Sequence, residues 1–479
     1  MQRKWLILTT VSLGSLMATL DGSIINIALP AIQQDFGVDL TTVEWVVVAY
    51  LLVVGSLLLP MGRLGEVATF KRVYLAGFAV FTVASVLCGA APGIAALVLF
   101  RVLQGIGAAM IMAMGPAIVA RTFGPAERGR ALGLNTMSVS LGLTLGPVLG
   151  GILTQAATWR AIFLINLPIG IIAIVWAARI LPVEKRGGEQ SFDLRGAALS
   201  GLALFCFLLA LSEGDGWGWT SPLTLGLVLT AIVLAAAFVV VERRSVQPLV
   251  DLALFRIRPF AAGLASAILA FAGLFTATFL LPFLLQQTAG FTPAEAGLLL
   301  VSVPIAMAIV APFSGSASDR YGSRRPASLG ITLMTLALLS LTQLPVGFGV
   351  WDLEWRLVLL GIGQGLFFSP NSSAVLGSVP GRRVGTASGT LAQMRVVGQS
   401  LGIALSAAIV AARMPQYLAA LPGNGGPEAT ALAMSAAIHD AFLVAAVLCA
   451  GGIVTSLLRG SGTPRLAPPA AVAACAAEG

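Results

Sequence analysis

Residues 129–146 read GRALGLNTMSVSLGLTLG, and residues 385–402 read GTASGTLAQMRVVGQSLG. An offset of 256 positions aligns the two stretches, and the residues of the first copy that recur unchanged are Gly129, Ala131, Gly133, Gly142, Leu145 and Gly146. A second pair, GRLGEVATFKR at 62–72 and GSASDRYGSRR at 315–325, aligns at an offset of 253. Two matches at nearly equal offsets indicate that the two halves of the chain share one architecture.

The composition places this architecture in a membrane. Of the 479 residues, 57% are hydrophobic and 10% are charged, which is more apolar surface than a soluble chain can bury. Fourteen continuous apolar stretches are long enough to cross a bilayer as helices, and the first lacks the cleavage site of a signal peptide. They lie near residues 5–32, 44–61, 72–91, 94–120, 131–154, 160–181, 194–212, 222–241, 259–285, 295–313, 326–343, 354–379, 386–412 and 436–459.

The basic residues predict the orientation of these spans. With the N-terminus inside, only Arg160, Arg356 and Arg413 fall in outer loops, so both termini are predicted to be cytoplasmic. The repeated segments lie eight spans apart and therefore run in the same direction, as in a parallel repeat.

We therefore predict an all-α integral membrane protein with fourteen transmembrane helices. The predicted parts are an N-terminal six-helix bundle at 1–185, two linker helices at 186–250, a C-terminal six-helix bundle at 251–460, and a disordered cytoplasmic tail at 461–479.

Several function classes are excluded by what the sequence lacks. The net charge of +8 follows from basic inner loops and does not form the clustered patch of a nucleic-acid-binding protein. The single histidine, His439, and four cysteines without paired spacing predict neither a metal site nor disulfides. Without a GxxxxGK[ST] loop we expect no ATP hydrolysis. We also expect no enzymatic activity and no cofactor.

One acidic residue stands deep within a predicted span. Asp21 lies in TLDGSIINIALPAI at 19–32, and an acid at membrane depth usually faces a cavity or a partner. Arg101 lies at a similar depth, within reach of its long side chain. Asp21 is interpreted as a proton carrier or as a structural hydrogen-bonding group. Arg101 is interpreted as its partner, or as an arginine held by Gln104 and backbone carbonyls.

The motifs together resemble those of a known family. They are LDGSIINIALP, GRLGEVATFKR, FRVLQGIGAA, LGLTLGPVLGG, WRAIFLINLPIG and MRVVGQSLGIAL. The sequence resembles the major facilitator superfamily, specifically its fourteen-helix drug:proton antiporter branch of the multidrug efflux type. The resemblance implies two bundles that rock around a midplane cavity, and export of an organic compound driven by inward proton flow.

The resemblance also assigns roles to residues. It implies that Arg101 tunes a membrane acid, and that a kinked glycine segment seals the interior against proton leak: Gly142, Gly146, Pro147, Gly150 and Gly151. Two loops would form a cytoplasmic gate: Gly62, Glu66, Lys71 and Arg72 in the first copy, and Gly315, Asp319, Arg320, Arg324 and Arg325 in the second. The first copy departs from the family pattern, since Glu66, Val67 and Thr69 stand where Asp, Arg and Gly are usual.

Polar residues within spans are the candidates for the substrate cavity. They are Asn26, Asn135, Gln286, Asn371, Gln393 and Arg395. Taken singly, each amide also fits a hydrogen bond between helices. Arg395 is predicted either to hold an anionic substrate group or to pair structurally, and the repeat places uncharged Val139 at the matching position.

The sequence therefore predicts a proton-coupled exporter of small lipophilic or cationic organic compounds, in the bacterial cytoplasmic (inner) membrane. Its partners would be protons, a small-molecule substrate and the lipid bilayer, with no nucleic acid, and we expect a monomer. Three alternatives stay open: export of one dedicated metabolite, antibiotic or lipid, import on the same fold, and a receptor that transports nothing.

Overall fold

The computed structural model describes residues 3–123, 125–182, 194–218, 220–244, 252–345, 347–380, 384–421 and 426–459. These residues form sixteen α-helices: α1 (Arg3–Phe36), α2 (Leu40–Ala68), α3 (Phe70–Gly89), α4 (Ile94–Thr122), α5 (Pro125–Ala156), α6 (Ala161–Leu164), α7 (Asn166–Ile180), α8 (Leu194–Trp217), α9 (Pro222–Arg244), α10 (Arg258–Phe283), α11 (Pro293–Leu300), α12 (Ser302–Tyr321), α13 (Arg324–Leu341), α14 (Val350–Gly377), α15 (Val384–Ala420) and α16 (Pro427–Leu457). The predicted disordered tail at 461–479 lies outside the described residues.

The described part of the chain is helical throughout, and ten of its helical stretches are long and apolar enough to cross a membrane. This agrees with the predicted all-α membrane protein. The count of fourteen spans, the cytoplasmic termini and the bundle boundaries stay predictions.

Two predicted spans are interrupted. The span at 160–181 is divided at Ile165 into α6 and α7, and the span at 295–313 is divided at Val301 into α11 and α12. In each case a proline follows three residues after the break, Pro168 and Pro304. Because proline has no N–H, the carbonyl four residues earlier loses its helical hydrogen bond.

The glycines of the repeat pack in equivalent ways in the two halves. A Cβ on Gly142 would lie 2.9 Å from the Leu16 carbonyl oxygen of α1, and one on Gly398 would lie 2.5 Å from the Ile268 carbonyl oxygen of α10. The same close packing therefore joins α5 to α1 and α15 to α10. Glycine is required at both places because any side chain would collide with the neighbouring backbone.

The two halves meet at one end of the molecule. A Cβ on Gly151 of α5 would lie 2.9 Å from the α-carbon of Ala294 at the start of α11. The segment Leu284–Thr288, a π-helix that follows α10, reaches α1: the Gln286 amide donates to the Ile27 carbonyl at 2.9 Å. In the predicted orientation this end faces outward, so these contacts close the outer side.

The helices between the two halves differ in their contacts. Helix α8 packs against both α2 and α15, and the Trp45 indole of α2 donates to the Glu213 carboxylate at 2.7 Å. Helix α9 packs mainly on α8, and only 11% of its most apolar 18-residue segment is buried inside the protein. Helix α8 therefore bridges the halves, whereas α9 lies at the periphery.

Candidate functional site

Asp21 lies at the centre of a buried polar network. Its Oδ2 accepts a hydrogen bond from Nη1 of Arg101 at 2.6 Å, and neither side chain is exposed. Its Oδ1 accepts from Nε2 of Gln104 and from Nδ2 of Asn166, each at 2.8 Å. Helix α4 thus provides two of the donors and α7 the third. The structure brings together the acid and the arginine that the sequence placed at similar depth.

Arg101 is also held by groups other than Asp21. Its Nε donates to the Val46 carbonyl at 2.8 Å, and its Nη1 donates to Oε1 of Gln104 at 2.6 Å. The guanidinium carbon lies 4.1 Å from the centre of the Tyr50 ring. These are the backbone and Gln104 contacts of the alternative interpretation, and they exist together with the ion pair. Arg101 therefore has several contacts that do not involve Asp21.

The hydrogen bonds around Asp21 suit an ionised carboxylate. All three contacts donate to its oxygens, and a carboxylate without a proton can only accept. Breaking a buried pair by removing one partner costs about 3–5 kcal/mol, since the other charge is left without compensation. Asp21 and Arg101 therefore each compensate the buried charge of the other.

Asn166 belongs to this network but was not among the predicted site residues. It is 1% exposed and lies in the first turn of α7, just after the break at Ile165. The sequence contains a signal for it: Asn166 is a lone amide within the apolar segment AIFLINLPIG. Polar groups at membrane depth need partners, and the partner here is the acid of α1.

The predicted kink segment connects α1 to the closed end. Along α5, glycines at positions 142, 146 and 150 pack against α1, and Oγ of Ser23 donates to the Gly142 carbonyl at 3.0 Å. Pro147 lies inside α5, and a Cβ on Gly297 of α11 would lie 3.0 Å from its carbonyl carbon. Helix α5 therefore contacts the helix that carries Asp21 on one side and the other half of the chain on the other.

Most of the predicted cavity residues take part in helix contacts. The five amides are bonded as follows: Asn26 to the Gly22 carbonyl at 3.2 Å, Asn135 to the Ser15 hydroxyl at 2.9 Å, Gln286 to Ile27, Asn371 to the Gly263 carbonyl at 3.2 Å and to Arg459, and Gln393 to the Gly55 carbonyl at 3.5 Å. Four of these amides thus make the hydrogen bonds between separate segments of the alternative interpretation, whereas Asn26 bonds within α1. In the present conformation these amides therefore form hydrogen bonds to other groups of the protein.

Arg395 differs from these amides. Its Nη2 donates to the Ser372 hydroxyl at 2.6 Å, while its Nε is buried and has no hydrogen-bond partner in the structure. Among the described residues no carboxylate forms an ion pair with it. Its positive charge is therefore less compensated than that of Arg101.

The predicted cytoplasmic gate is described in part. Nζ of Lys71 donates to the carbonyls of Ala178 and Leu181, each at 2.7 Å, so this lysine joins helices of its own half. The glycines Gly62 and Gly315 lie within α2 and α12, Arg324 is half-buried, and the exposed members are Arg72, Arg320 and Arg325. The side chains of the two acids, Glu66 and Asp319, lie outside the described part of the chain, so the gate contacts stay predictions.

The loop between α2 and α3 contains an unusual backbone conformation. Thr69 has φ 142°, where side chains are disfavoured, and Gly322 at the matching position of the second copy has φ 79°. Thr69 stands where the loop motif of the resembling family usually has glycine. The backbone takes a positive φ in both copies, but only the second has the residue suited to it.

Comparison with known proteins places this arrangement in a family. Residues 11–403 and 263–473 match the family described as the Major Facilitator Superfamily. A riboflavin transporter of Clostridioides difficile is 33% identical over 95% of this chain and 98% of its own length. A tetracenomycin C resistance and export protein of Streptomyces glaucescens is 33% identical over 94% of this chain and 84% of its own length. A multidrug resistance protein of Mycobacterium tuberculosis is 36% identical over 85% of this chain and 76% of its own length.

The solved structures agree at the level of the fold. A bacterial homolog of the human lysosomal transporter Spinster, in an inward-facing and unoccupied conformation, superposes with a TM-score of 0.70. The match covers 96% of this chain and 97% of that chain at 16% sequence identity, which supports the fold alone. The sequence match, the curated relatives and this fold lead to one conclusion: the chain belongs to the major facilitator superfamily, whose members are membrane transporters and not enzymes.

Proposed function

We propose that this transporter is a proton-coupled antiporter that exports small lipophilic or cationic organic compounds by alternating access. The observation that carries the proposal is the buried Asp21 carboxylate with its three donors, Arg101 among them at 2.6 Å. A membrane acid in contact with a cation and shielded from water is the arrangement a proton relay requires. The drug-resistance and export relatives support the direction of transport.

The proposed cycle uses the helix contacts around Asp21. In the conformation described here, the contacts between α5 and α11 close one end and Asp21 is 1% exposed, so a proton cannot reach it. Opening this end would admit an external proton to Asp21 and release the substrate. Reclosure and opening of the opposite end would then return the proton to the cytoplasm, where Arg101 re-forms the ion pair. A membrane potential supplies about 2.3 kcal/mol per charge per 100 mV to such a step.

A second candidate function is export of one dedicated metabolite, antibiotic or lipid. The favouring observation is that two relatives are named for single compounds, riboflavin and tetracenomycin C. The present structure would serve either substrate range, because the Asp21 network concerns the proton and makes no contact that selects a substrate.

The test is substrate-driven proton release from acidified inverted vesicles, followed with a pH-sensitive dye in the lumen. The compounds are ethidium, a neutral lipophilic dye, riboflavin and tetracenomycin C. The variant is Asp21→Asn, and the matched control is Asp35→Asn on the same helix, whose acid pairs with Arg160 at a partly exposed site.

We expect wild type and Asp35→Asn to release protons, and Asp21→Asn to bind the compound without releasing them. Proton release by Asp21→Asn at the wild-type rate would remove Asp21 from the coupling role. A response to riboflavin or tetracenomycin C alone would replace broad export with export of a dedicated compound.

A further inference from the structure

The C-terminal half contains an aromatic cluster that no step of the proton cycle uses. The rings of Phe271 and Phe368 are stacked, with centroids 4.6 Å apart and planes 28° apart, and Phe275 extends the stack at 6.3 Å. Each of the three rings is only partly buried. The cluster therefore keeps accessible surface at the edge of the hydrophobic core, against which Phe275 and Phe368 pack.

Arg395 adds a positive charge to this ring surface. Its guanidinium carbon lies 5.7 Å from the centre of the Phe271 ring, within the range of a cation–π contact. The Ser372 hydroxyl accepts from its Nη2 at 2.6 Å and fixes the plane of the guanidinium. Its Nε is left without a hydrogen-bond partner in the structure. A buried N–H without a partner is unfavourable, and an acceptor brought by a ligand would satisfy it.

Helix packing places the arginine and the rings on one surface. The glycines at 398 and 402 let α15 approach the backbone of α10, which sets Arg395, one turn earlier, beside Phe271. Ser372 and Phe368 lie one turn apart on α14, so three helices contribute to the cluster. Helices α10 and α15 also contact α1 and α2 of the N-terminal half. On α15 the residue after Arg395, Val396, lies 2.9 Å from where a Cβ on Gly55 of α2 would be, so the cluster lies next to the contact between the halves.

We propose that Phe271, Phe275, Phe368 and Arg395 form a binding site for flat aromatic compounds that carry an acidic oxygen, such as a phenolate or a carboxylate. A flat ring would stack on the phenylalanines, and its oxygen would accept hydrogen bonds from the guanidinium. The proposal rests on the proposed transport function and narrows it: the substrates of this site would be lipophilic aromatic compounds with an acidic oxygen, and flat cations would be disfavoured.

The charges near this site favour an anion over a cation. Asp21 is already paired with Arg101, so its charge is not free to hold a cationic substrate. Arg395 is not paired with any carboxylate of the described residues. A flat cation would gain the ring contacts but would be repelled by the guanidinium, so among flat compounds the anions should bind more tightly.

The test is equilibrium binding to the purified full-length protein in detergent, where no proton gradient is needed. The probes are resorufin, a flat tricyclic anion above neutral pH, and proflavine, a flat tricyclic cation of similar size. Adamantane carboxylate, which is anionic but not flat, separates charge from stacking. The variants are Arg395→Gln, Arg395→Lys and Phe271→Leu. The matched control is Arg413→Gln on the same helix, whose arginine is exposed and pairs with Asp440 at 3.3 Å.

We expect wild type and Arg413→Gln to bind resorufin more tightly than proflavine or adamantane carboxylate. Arg395→Gln should weaken resorufin binding about ten-fold or more while proflavine binding is unchanged or tighter. Arg395→Lys should restore part of the resorufin affinity, and Phe271→Leu should weaken both flat dyes.

Equal resorufin affinity of wild type and a folded Arg395→Gln, a wild-type preference for proflavine, or the absence of dye binding by wild type would each overturn the proposal. Because binding is measured without a gradient, its result is separate from that of the proton-release test. Binding as expected with no proton release would reject the coupling proposal and keep this one.

Discussion

At the scale of single residues, Asp21 and Arg101 are held differently. The Asp21 carboxylate receives every hydrogen bond from side chains of other helices, whereas Arg101 also donates to the backbone of α2. The arginine is therefore the fixed member of the pair, and the acid is the member whose contacts depend on its charge. This asymmetry supports the proposal that Asp21 is the proton site, because a carboxylate that gains a proton becomes a donor and has to change its partners.

The asymmetry leads to a prediction about stability. Arg101→Met leaves Asp21 buried beside amide donors but without its counter-charge, and we expect the midpoint of thermal unfolding in detergent to fall clearly, consistent with a loss of about 3–5 kcal/mol. The double variant Asp21→Asn with Arg101→Met has no unpaired charge and should recover most of the loss, while neither variant releases protons. A midpoint for Arg101→Met equal to that of wild type would contradict this interpretation of the pair.

Thr69 gives a second prediction at this scale. Its φ of 142° strains a residue with a branched Cβ, and such strain costs about 1–3 kcal/mol. Thr69→Gly relieves the strain, but the unfolded chain gains freedom worth about 0.4–1 kcal/mol. We expect a net rise of the unfolding midpoint.

The matched control for Thr69 is the reciprocal change at the equivalent position, Gly322→Thr, which should lower the midpoint because Gly322 has φ 79°. Both variants are compared by thermal unfolding in detergent. A lower midpoint for Thr69→Gly would mean that the threonine side chain makes contacts worth more than the strain.

At the scale of secondary-structure elements, α5 contacts both the C-terminal half and α1, the helix that carries Asp21. Its small residues face α1 over three successive turns, and the last glycine of the row, Gly151, faces α11. A movement of the C-terminal half can therefore reach α1 through the contacts of α5. Small residues on both faces allow such a helix to pack tightly without interlocking side chains.

The prediction for α5 concerns the closed end. In Gly151→Val the new side chain would collide with the backbone of Pro293 and Ala294, so the contact between α5 and α11 should open. The readout is labelling of Gln287→Cys by a membrane-impermeant maleimide, in a protein whose four native cysteines are replaced. Labelling should be several-fold faster than in the parent.

The control for this experiment is Gly226→Val in α9, where a Cβ would meet nothing within 4 Å. It adds the same bulk to another helical glycine, and labelling of Gln287→Cys should stay at the parent rate. Equal labelling of the Gly151→Val and Gly226→Val proteins would show that the α5–α11 contact does not control access to this end.

The elements also show where sequence patterns have limited resolution. Hydropathy predicts one continuous span at 160–181 because every residue around Ile165 except Asn166 is apolar. The break that produces α6 and α7 comes from the lost hydrogen bond at Pro168, and it places Asn166 in the first turn of a new helix. A window of about 20 residues averages over such a local change.

At the scale of the whole molecule, the predicted topology can be tested by reporter fusions. Alkaline phosphatase is active only outside the cytoplasm, and Gly218 between α8 and α9 is predicted to lie outside. Arg244 at the end of α9 is predicted to lie inside. We expect a fusion after Gly218 to be active and one after Arg244 to be inactive.

The complementary reporter is green fluorescent protein, which should fluoresce after Arg244 and not after Gly218. Opposite activities at the two sites would mean that α9 crosses the membrane in the predicted direction. The same activity at both sites would mean that α9 does not cross, and the count of fourteen would then be wrong.

The sequence by itself determined the family and the all-helical membrane character. The length of the apolar stretches, the basic inner loops and the two matched segments can all be read along the chain. In a bilayer the backbone of a long apolar stretch must satisfy its own hydrogen bonds, which favours a helix. The sequence also identified the acid and the arginine of the buried pair, because a charged residue is easily recognised within an apolar stretch. The departure from the family's loop motif identified Thr69 as the residue that stands in place of a glycine.

The tertiary structure alone decided which of these groups meet. Asn166 reaches Asp21 from 145 positions away, and Arg395 lies over Phe271 because α15 packs against α10 at their glycines. The amides predicted for the cavity were found in helix contacts, since buried amides take whatever partner the packing offers. Such pairings depend on how helices rotate and approach one another, and a sequence pattern fixes the apolar face of a helix but not the neighbour that its polar residues will find.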